Sequence, residues 1–169
     1  MGAGKPLRPD MTTETNSAST VPAVTYNGQF THGLDEKRRL QIPSRWRPAS
    51  GEMEWKALLW PKGGQQGHYL VVLTTDTHNR VMAKLNSASL GDEKALAVMR
   101  YFSRNSGDLV MDKAGRVVLP ENLAKAAGIE REAVLVGMWE RFEIWSPERF
   151  TQAAAQDDAV APLELGKYL

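Results

Sequence analysis

The chain has 169 residues, of which 42% are hydrophobic and 24% are charged, and its formal net charge is +1. These values are typical of a globular protein with one domain or two small ones, and the balanced charge gives no global argument for nucleic-acid binding. The absence of cysteine excludes disulfides, thiolate catalysis and Cys-ligated zinc. Because no apolar run is long enough for a membrane span and MGAGKPLRPD lacks a signal-peptide core, we expect a cytoplasmic protein without membrane contact.

Residues 1–25 are rich in Thr, Ser, Ala and Pro and show no periodic apolar pattern. Such a segment buries too little surface to offset its ordering entropy, so we predict a disordered N-terminal tail. Folded sequence is expected to begin near Tyr26.

The segment from residue 26 to residue 80 is predicted to be mainly β. YNGQFTHGL and RLQIP are typical of strands on the two sides of a turn, and Pro43 ends the second because it cannot donate to a sheet ladder. SRWR is expected to form a helical turn. KALLW and YLVVLTT predict two more strands, separated by the exposed loop PKGGQQGH.

A helix within residues 81–106 is predicted to bridge this segment to the second half. In DEKALAVMRYFSR the apolar residues recur at three- and four-residue spacing, Asp92 is suited to the N-cap, and arginines lie near the C-terminal end.

The second half, residues 107–155, repeats the plan of the first. DLVMD leads into a turn, RVVLP leaves it, and ENLAKAAG predicts a short helix ended by Gly128. AVLVGM and RFEIW are expected to pair through a Trp-Glu turn, and SPERFTQAAA begins a helix with Ser146 as N-cap and Pro147 in its first turn. Residues 156–169 are predicted to be a frayed C-terminal tail.

One motif is written twice, in LDEKRRLQIP (34–43) and in MDKAGRVVLP (111–120). In each copy an Asp is followed by an Arg four positions later and by a Pro eight positions later, and the copies lie 77 residues apart. Each half is too small for an independent core, so the halves are expected to bury their apolar faces against each other. Superposing LVVL (70–73) on VLVG (134–137) gives an offset of only 64 and predicts an insertion of about 13 residues in the first half.

The residues alone leave two interpretations of the motif open. In the structural one, each Asp starts a turn, Gly115 supplies a positive φ, and Arg116 forms a surface ion pair with Asp112 worth ~0–1 kcal/mol. In the functional one, Arg39 and Arg116 present guanidinium forks that match phosphate oxygens or the guanine edge. Asp35 and Asp112 would then hold the turns, because a carboxylate facing phosphate is repelled.

Local charge supports the functional interpretation. Residues 34–47 carry five positive and two negative side chains, and Lys37, Arg38 and Lys113 would add attraction to phosphate. The three histidines show no metal-ligand spacing, and neither a phosphate-binding loop nor a nucleophile elbow occurs. We therefore predict no metal, no cofactor, no small-molecule substrate and no enzymatic activity.

The two motif copies resemble those of the MraZ family, bacterial regulators within the AbrB/SpoVT superfamily. The resemblance covers YNGQFTHGLDEKRRLQIPSRWR and VVLTT, then continues from RYFSRNSGDLV through EIWSPERF, or about residues 26–155. It implies an α+β fold, mainly β with short helices, in which AbrB-like repeats at 26–80 and 107–155 form a swapped-hairpin β-barrel as an intrachain pseudo-dimer. It also implies a ring-like homo-oligomer, cytoplasmic and nucleoid-associated, that binds direct repeats in double-stranded promoter DNA and represses the division and cell wall gene cluster.

The resemblance also implies that Asp35 and Arg39 of the first copy, and Asp112 and Arg116 of the second, form the DNA-contact motif. Together with the neighbouring Lys37, Arg38, Lys113 and Gly115, they are the predicted DNA-binding residues. The first copy departs from the family pattern, since Arg38 stands where Gly is usual and where the second copy has Gly115. That turn must take a different geometry or hold a non-Gly residue at positive φ. The alternative function is a ring-forming interaction module without specific DNA readout.

Overall fold

Strands dominate the fold, in one large sheet and one small one. The computed structural model describes residue 2 and residues 24–50, 53–61, 68–88 and 91–169. Within them lie eight strands: β1 (Gln29–Gly33), β2 (Arg39–Gln41), β3 (Glu54–Pro61), β4 (His68–Thr74), β5 (Ser106–Val110), β6 (Arg116–Val118), β7 (Glu132–Gly137) and β8 (Arg141–Trp145). The helices are α1 (Thr75–Asn86), α2 (Glu93–Arg104), α3 (Glu121–Ala126) and α4 (Pro147–Glu164), with 3-10 turns at Ser44–Trp46 and Leu165–Lys167.

The large sheet has the strand order β1-β7-β8-β4-β3-β5, and β2 pairs with β6 in a separate two-stranded ladder. All of these pairings are antiparallel. The predicted α+β class, mainly β with short helices, is confirmed. In the described part of the chain, however, β1 and β5 are the edges of an open sheet, so the hydrogen-bonded strands do not close into a barrel.

The two halves of the chain exchange strands. β5 and β6 lie 77 residues after β1 and β2, so they occupy equivalent places beside the two motif copies. β1 of the first half pairs with β7 of the second, and β5 of the second half pairs with β3 of the first. The two halves therefore share their sheets, as expected for units too small to hold a core alone.

The pairing registers show that the predicted superposition of LVVL on VLVG is wrong. Leu109 lies 77 residues after His32, so the two occupy equivalent places in β5 and β1. Trp55 of β3 pairs with Leu109, and Ala133 of β7 pairs with His32, so β7 is the equivalent of β3 rather than of β4. Both β3 and β4 are buried apolar runs, and a run of that kind carries no mark of its place in the sheet. The halves differ instead in the length of one connection, since the segment between β3 and β4 is longer than that between β7 and β8. Residues 62–67 of this predicted exposed loop lie outside the described residues.

The centre of the core is aromatic. Its largest rings, which belong to both halves, are those of Tyr26, Trp46, Trp55 and Phe142. Phe142 lies 5.1–5.8 Å from the other three ring centroids. The indole of Trp55 donates a hydrogen bond of 2.9 Å to the hydroxyl of Tyr26, which satisfies a polar group that would be costly to bury alone. Such ring pairs add ~0.5–1.5 kcal/mol each beyond the area that they bury.

Two helices occupy the region where one bridging helix was predicted. α2 begins after Asp92, whose carboxylate accepts from the backbone N–H groups of Lys94 and Ala95, as predicted. α1 was not predicted, because the β-branched run at its start favours strand. Its cap is Thr74, whose hydroxyl accepts from the N–H of Thr77.

The C-terminal segment is also more regular than predicted. Ser146 caps α4 and Pro147 lies in its first turn, as expected. The predicted frayed tail over residues 156–169 is wrong, since α4 continues to Glu164 and a 3-10 turn follows; the alanine-rich sequence has high helix propensity. The predicted tail over residues 1–25 lies almost wholly outside the described residues. None of the described helices has both the length and the apolarity to cross a membrane.

Candidate nucleic-acid interface

The first motif copy forms a tight turn over residues 35–39, here called turn 1. One carboxylate oxygen of Asp35 accepts hydrogen bonds of 2.9 Å from the backbone N–H groups of both Lys37 and Arg39. The carbonyl of Asp35 accepts from the N–H of Arg38 at 2.8 Å. The aspartate thus organises the backbone of the turn, as the structural interpretation of the motif requires.

The second copy forms turn 2, residues 112–116, with the same hydrogen bonds. Asp112 accepts from the N–H groups of Ala114 and Arg116 at 2.9 Å each, and its carbonyl accepts from Gly115 at 2.9 Å. Equivalent atoms therefore form equivalent hydrogen bonds in both halves.

The substitution of arginine for glycine does not change the turn. Arg38 has a φ of 56° and Gly115 has a φ of 77°, so both residues adopt a left-handed backbone conformation. Of the two possibilities raised by the sequence, the structure has the strained non-Gly residue rather than a different geometry. Such a residue costs on the order of 1 kcal/mol.

Each aspartate also fixes the arginine of its own motif. The guanidinium Nε of Arg39 lies 2.6 Å from the carboxylate of Asp35, while Nε and Nη2 of Arg116 lie 3.0 and 2.9 Å from that of Asp112. Both arginine side chains remain 32% exposed. The ion pair thus orients each guanidinium and leaves donors available to a ligand, so the two interpretations of the motif are compatible.

Both carboxylates are held in the charged form. The backbone N–H of Arg39 is the main reason that the pKa of the Asp35 carboxyl lies below its usual value, and the arginine side chain adds to the effect. The N–H and side chain of Arg116 lower the pKa of Asp112 in the same way. Since both pKa values are lowered, the two turns keep their hydrogen bonds at neutral pH.

The two arginines emerge from one face of the β2–β6 ribbon, which consists of Arg39–Gln41 and Arg116–Val118. Arg39 pairs with Val118, and Gln41 pairs with Arg116. The residues between them, Leu40 and Val117, are fully buried in the core. Because side chains alternate along a strand, Arg39 and Arg116 share the outer face. They are diagonal neighbours, whose Cα atoms are expected to lie roughly 7–8 Å apart.

The supporting cations differ between the turns. Lys37 and Lys113 are exposed and form no ion pair within the described part of the chain. Arg38 is exposed as well, but its guanidinium lies 3.3 Å from the carboxylate of Glu121 at the start of α3. The positive charge at the tip of turn 1 is therefore partly offset by the second half of the protein.

Two residues beside turn 2 were not predicted as site residues. The amide of Gln41 donates to the carbonyls of Ala114 and Gly115 at 3.0 and 3.1 Å. Arg47 packs on Gly115, where an added Cβ would lie 2.5 Å from its guanidinium carbon. The sequence indicates Arg47 only as one member of a local charge surplus. Its contact crosses between halves, and no local pattern could have indicated it.

The fold and the site together define the class of this protein: an α+β chain with two Asp-x-x-x-Arg units whose arginines share one β-ribbon. The family model described as "MraZ protein, putative antitoxin-like" matches residues 104–164. Several curated relatives carry the name "Transcriptional regulator MraZ".

The relatives match most of the chain. The one from Thermomicrobium roseum is 36% identical over 134 residues, which are 79% of this chain and 88% of the relative. Those from Desulfitobacterium hafniense and Clostridium tetani are 34% and 32% identical, over 80% and 74% of this chain and 92% and 84% of the relatives. The chain therefore belongs to the MraZ family, which confirms the resemblance found in the sequence. The shared name describes a non-enzymatic class, in agreement with the prediction that the chain is not an enzyme.

Proposed function

We propose that this chain is a sequence-specific, DNA-binding transcriptional regulator that reads DNA with the outer face of the β2–β6 ribbon. The observation that carries the proposal is the placement of Arg39 and Arg116 on that face, each oriented by an aspartate of its own turn. The names of the relatives support the same function.

The ribbon suits the major groove of B-DNA, which admits a two-stranded β-ribbon. In this proposal Arg39 and Arg116 donate to guanine edges or to phosphates, and Lys37, Arg38 and Lys113 attract the flanking phosphates. Asp35 and Asp112 hold the arginines, and Gly115 completes the second turn. The buried partners Leu40 and Val117 fix the ribbon on the core, so little side-chain or backbone order must be gained on binding.

The exchange of strands between the halves supports an intrachain pseudo-dimer with repeats at 26–80 and 107–155. We propose that several chains form a ring-like homo-oligomer that sets their turns along short direct repeats in promoter DNA. One turn binds weakly, and alignment of several raises avidity without new contacts. The target would be the division and cell wall gene cluster, repressed by this protein in the cytoplasm and nucleoid.

Alanine substitution of the motif arginines tests the proposal. Loss of Arg116 should cost roughly 1–3 kcal/mol for each base contact that it makes, and the Arg39→Ala/Arg116→Ala double variant should lose sequence-specific binding. Binding is measured by fluorescence anisotropy with a duplex taken from immediately upstream of the chain's own gene, against a shuffled duplex of equal length. The matched control is Arg80→Ala, an exposed arginine on α1 that pairs with Glu140. Unchanged affinity and specificity in the double variant would contradict the proposal.

The interaction module without DNA readout loses its main support in the structure. That alternative rested on the missing glycine of the first copy, yet turn 1 keeps the hydrogen bonds of turn 2. A salt titration separates the two functions. A regulator should show specific binding whose affinity falls steeply with salt, while a module should show no binding near physiological salt.

A further inference from the structure

The left-handed backbone favours glycine at position 115, and the surroundings of Gly115 add a second reason for it. Arg38 adopts the same conformation in turn 1, so this turn can hold a side chain, although at the cost of strain. What distinguishes Gly115 is its surroundings. A Cβ there would lie 2.5 Å from both Nε and Cζ of Arg47 and 2.7 Å from Nη1. The space that a side chain would fill is therefore occupied by a guanidinium from the first half.

Arg47 is held at this place by its neighbours. Its Nε donates to the carbonyl of Ile42 at 2.8 Å, and the N–H of Ile42 donates to the carbonyl of Gly115 at 2.9 Å. The preceding residue, Trp46, is fully buried and donates its indole N–H to the carbonyl of Asn27 at 3.0 Å. The side chain of Arg47 is half-buried, so its position beside turn 2 is defined before any ligand arrives.

The end of this guanidinium has no partner in the protein as described. Among the described residues, neither Nη of Arg47 has a hydrogen-bond acceptor and no carboxylate pairs with it. Lys113 and Arg116 bring two more positive charges to the same turn. Three cations lie beside one turn, and among the described residues only Arg116 pairs with a carboxylate. They form a site that suits an anion with several oxygen acceptors.

Turn 1 is built differently at the equivalent position. The residue 77 positions after Arg47 is Ala124, which has no charge to place over turn 1. Turn 1 carries its extra guanidinium on its own tip, at Arg38, where Glu121 offsets it. Each turn thus has one added arginine, but only that of turn 2 is free of an acidic partner within the described part of the chain.

We propose that Arg47 of the first half binds a DNA phosphate beside turn 2, and that Gly115 is present to make room for its guanidinium. The proposal rests on the DNA-binding function argued above and adds a residue outside the repeated motif. A phosphate rather than a base is the ligand, because the half-buried guanidinium lies against the backbone of the turn while Arg116 occupies the outer face of the ribbon.

Arg47→Ala is compared with Arg45→Ala, which removes the same charge two residues earlier. Arg45 is exposed, and its guanidinium lies 5.7 Å from the ring centroid of Phe30. Affinity for the upstream duplex and for a shuffled duplex is measured across a salt series. Arg47→Ala should weaken binding to both duplexes about tenfold at low salt and lower the slope of log K against log salt by about 0.9 for each phosphate that the variant no longer neutralises. Arg45→Ala should leave the slope unchanged.

Two further variants keep the test valid if Arg47→Ala unfolds. Arg47→Gln keeps a long polar side chain but removes the charge, and should reproduce the lower slope with an unchanged melting temperature. Gly115→Ala should displace the guanidinium and weaken DNA binding similarly. Added to the Arg47→Gln background, it should have little further effect on affinity.

The outcomes separate this inference from the proposed function. If Arg47→Gln matches Arg45→Ala in affinity and slope while Arg116→Ala weakens binding, Arg47 is no phosphate ligand and the proposed function stands. Full additivity of Gly115→Ala and Arg47→Gln in DNA affinity would overturn the role given to Gly115. If the unaltered protein binds neither duplex at low salt, the proposed function and this inference both fail.

Discussion

Turn 1 and turn 2 share a backbone and differ in their electrostatics. In both, an aspartate accepts from two backbone N–H groups and orients the arginine four positions later. At turn 1 the added arginine, Arg38, faces Glu121; at turn 2 the added arginine, Arg47, packs on Gly115 without an acidic partner among the described residues. A repeat can therefore preserve the geometry of a site while its neighbours change the charge presented there.

The neighbours in question come from the opposite half in each case. Arg47 follows the 3-10 turn of the first half and packs on Gly115 of turn 2. Glu121 begins α3 of the second half and pairs with Arg38 of turn 1. The exchange of strands makes this possible, because β2 and β6 bring each turn beside the segment that follows the other. In the proposed function the two turns therefore form one DNA-binding surface rather than two separate copies of a site.

The largest expected effect comes from truncating Trp46, the buried residue that precedes Arg47. Trp46 is fully buried among the rings of Tyr26, Phe30 and Phe142, and Trp46→Ala should lower the free energy of unfolding by about 3–5 kcal/mol. Its equivalent in the second half is Leu123, which is also buried, and Leu123→Ala should cost about 2–5 kcal/mol.

Urea denaturation monitored by circular dichroism measures both changes. The control is Trp139→Ala. The side chain of Trp139 is 73% exposed, so its truncation should change the free energy of unfolding by no more than about 0.5 kcal/mol. A loss for Trp46→Ala no larger than that of the control would show that the aromatic core does not hold the segment beside turn 2.

A smaller effect is expected at the ion pair of turn 1. Glu121→Gln removes the negative charge 3.3 Å from Arg38 and leaves α3 otherwise unchanged. Because the pair is exposed, stability should change by only about 0–1 kcal/mol. The freed guanidinium should strengthen DNA binding at low salt and raise the salt slope by up to about 0.9, which makes turn 1 more like turn 2.

A salt series with the upstream duplex measures this change. Glu130→Gln is the matched control, since Glu130 lies in the second half and has no ion pair within the described residues. If Glu121→Gln and Glu130→Gln give equal slopes, Glu121 does not set the difference between the turns.

The sequence predicted the local chemistry well. The two turns, the caps at Asp92 and Ser146 and the left-handed Gly128 just after α3 follow from residue types at fixed short spacings, and the structure has all of them. The equivalence of β3 and β7 was mispredicted because it is defined by register against β5 and β1. A buried apolar run has the same appearance wherever it pairs.

The site, like the fold, was predicted only as far as its residues are local in sequence. The motif residues are local, so the sequence indicated them, although their contact with DNA stays a prediction. Arg47 and Gly115 are 68 positions apart, and their contact depends on the pairing of β2 with β6. No spacing rule links such residues, because the folded pairing of the halves alone brings them together.

The smallest effect concerns the strain stored in turn 1. Arg38→Gly replaces a left-handed side-chain residue with the one that adopts this conformation freely. It also removes the ion pair with Glu121, which is exposed and contributes little. Relief of a strain on the order of 1 kcal/mol is largely offset by the conformational freedom that glycine adds to the unfolded chain, so the free energy of unfolding should change by less than about 0.5 kcal/mol. DNA binding should weaken because one positive charge is removed. The variant would make turn 1 as unstrained as turn 2 but less basic.

Lys37→Gly is the control for Arg38→Gly, because it removes a neighbouring exposed charge at a residue without positive φ. Glycine there adds only conformational freedom to the unfolded chain, so it should destabilise by roughly 0.5–1 kcal/mol. A smaller loss of stability for Arg38→Gly than for Lys37→Gly in urea denaturation would assign the strain to position 38. If both variants lose stability equally, the left-handed arginine is not strained, and the two turns differ in charge alone.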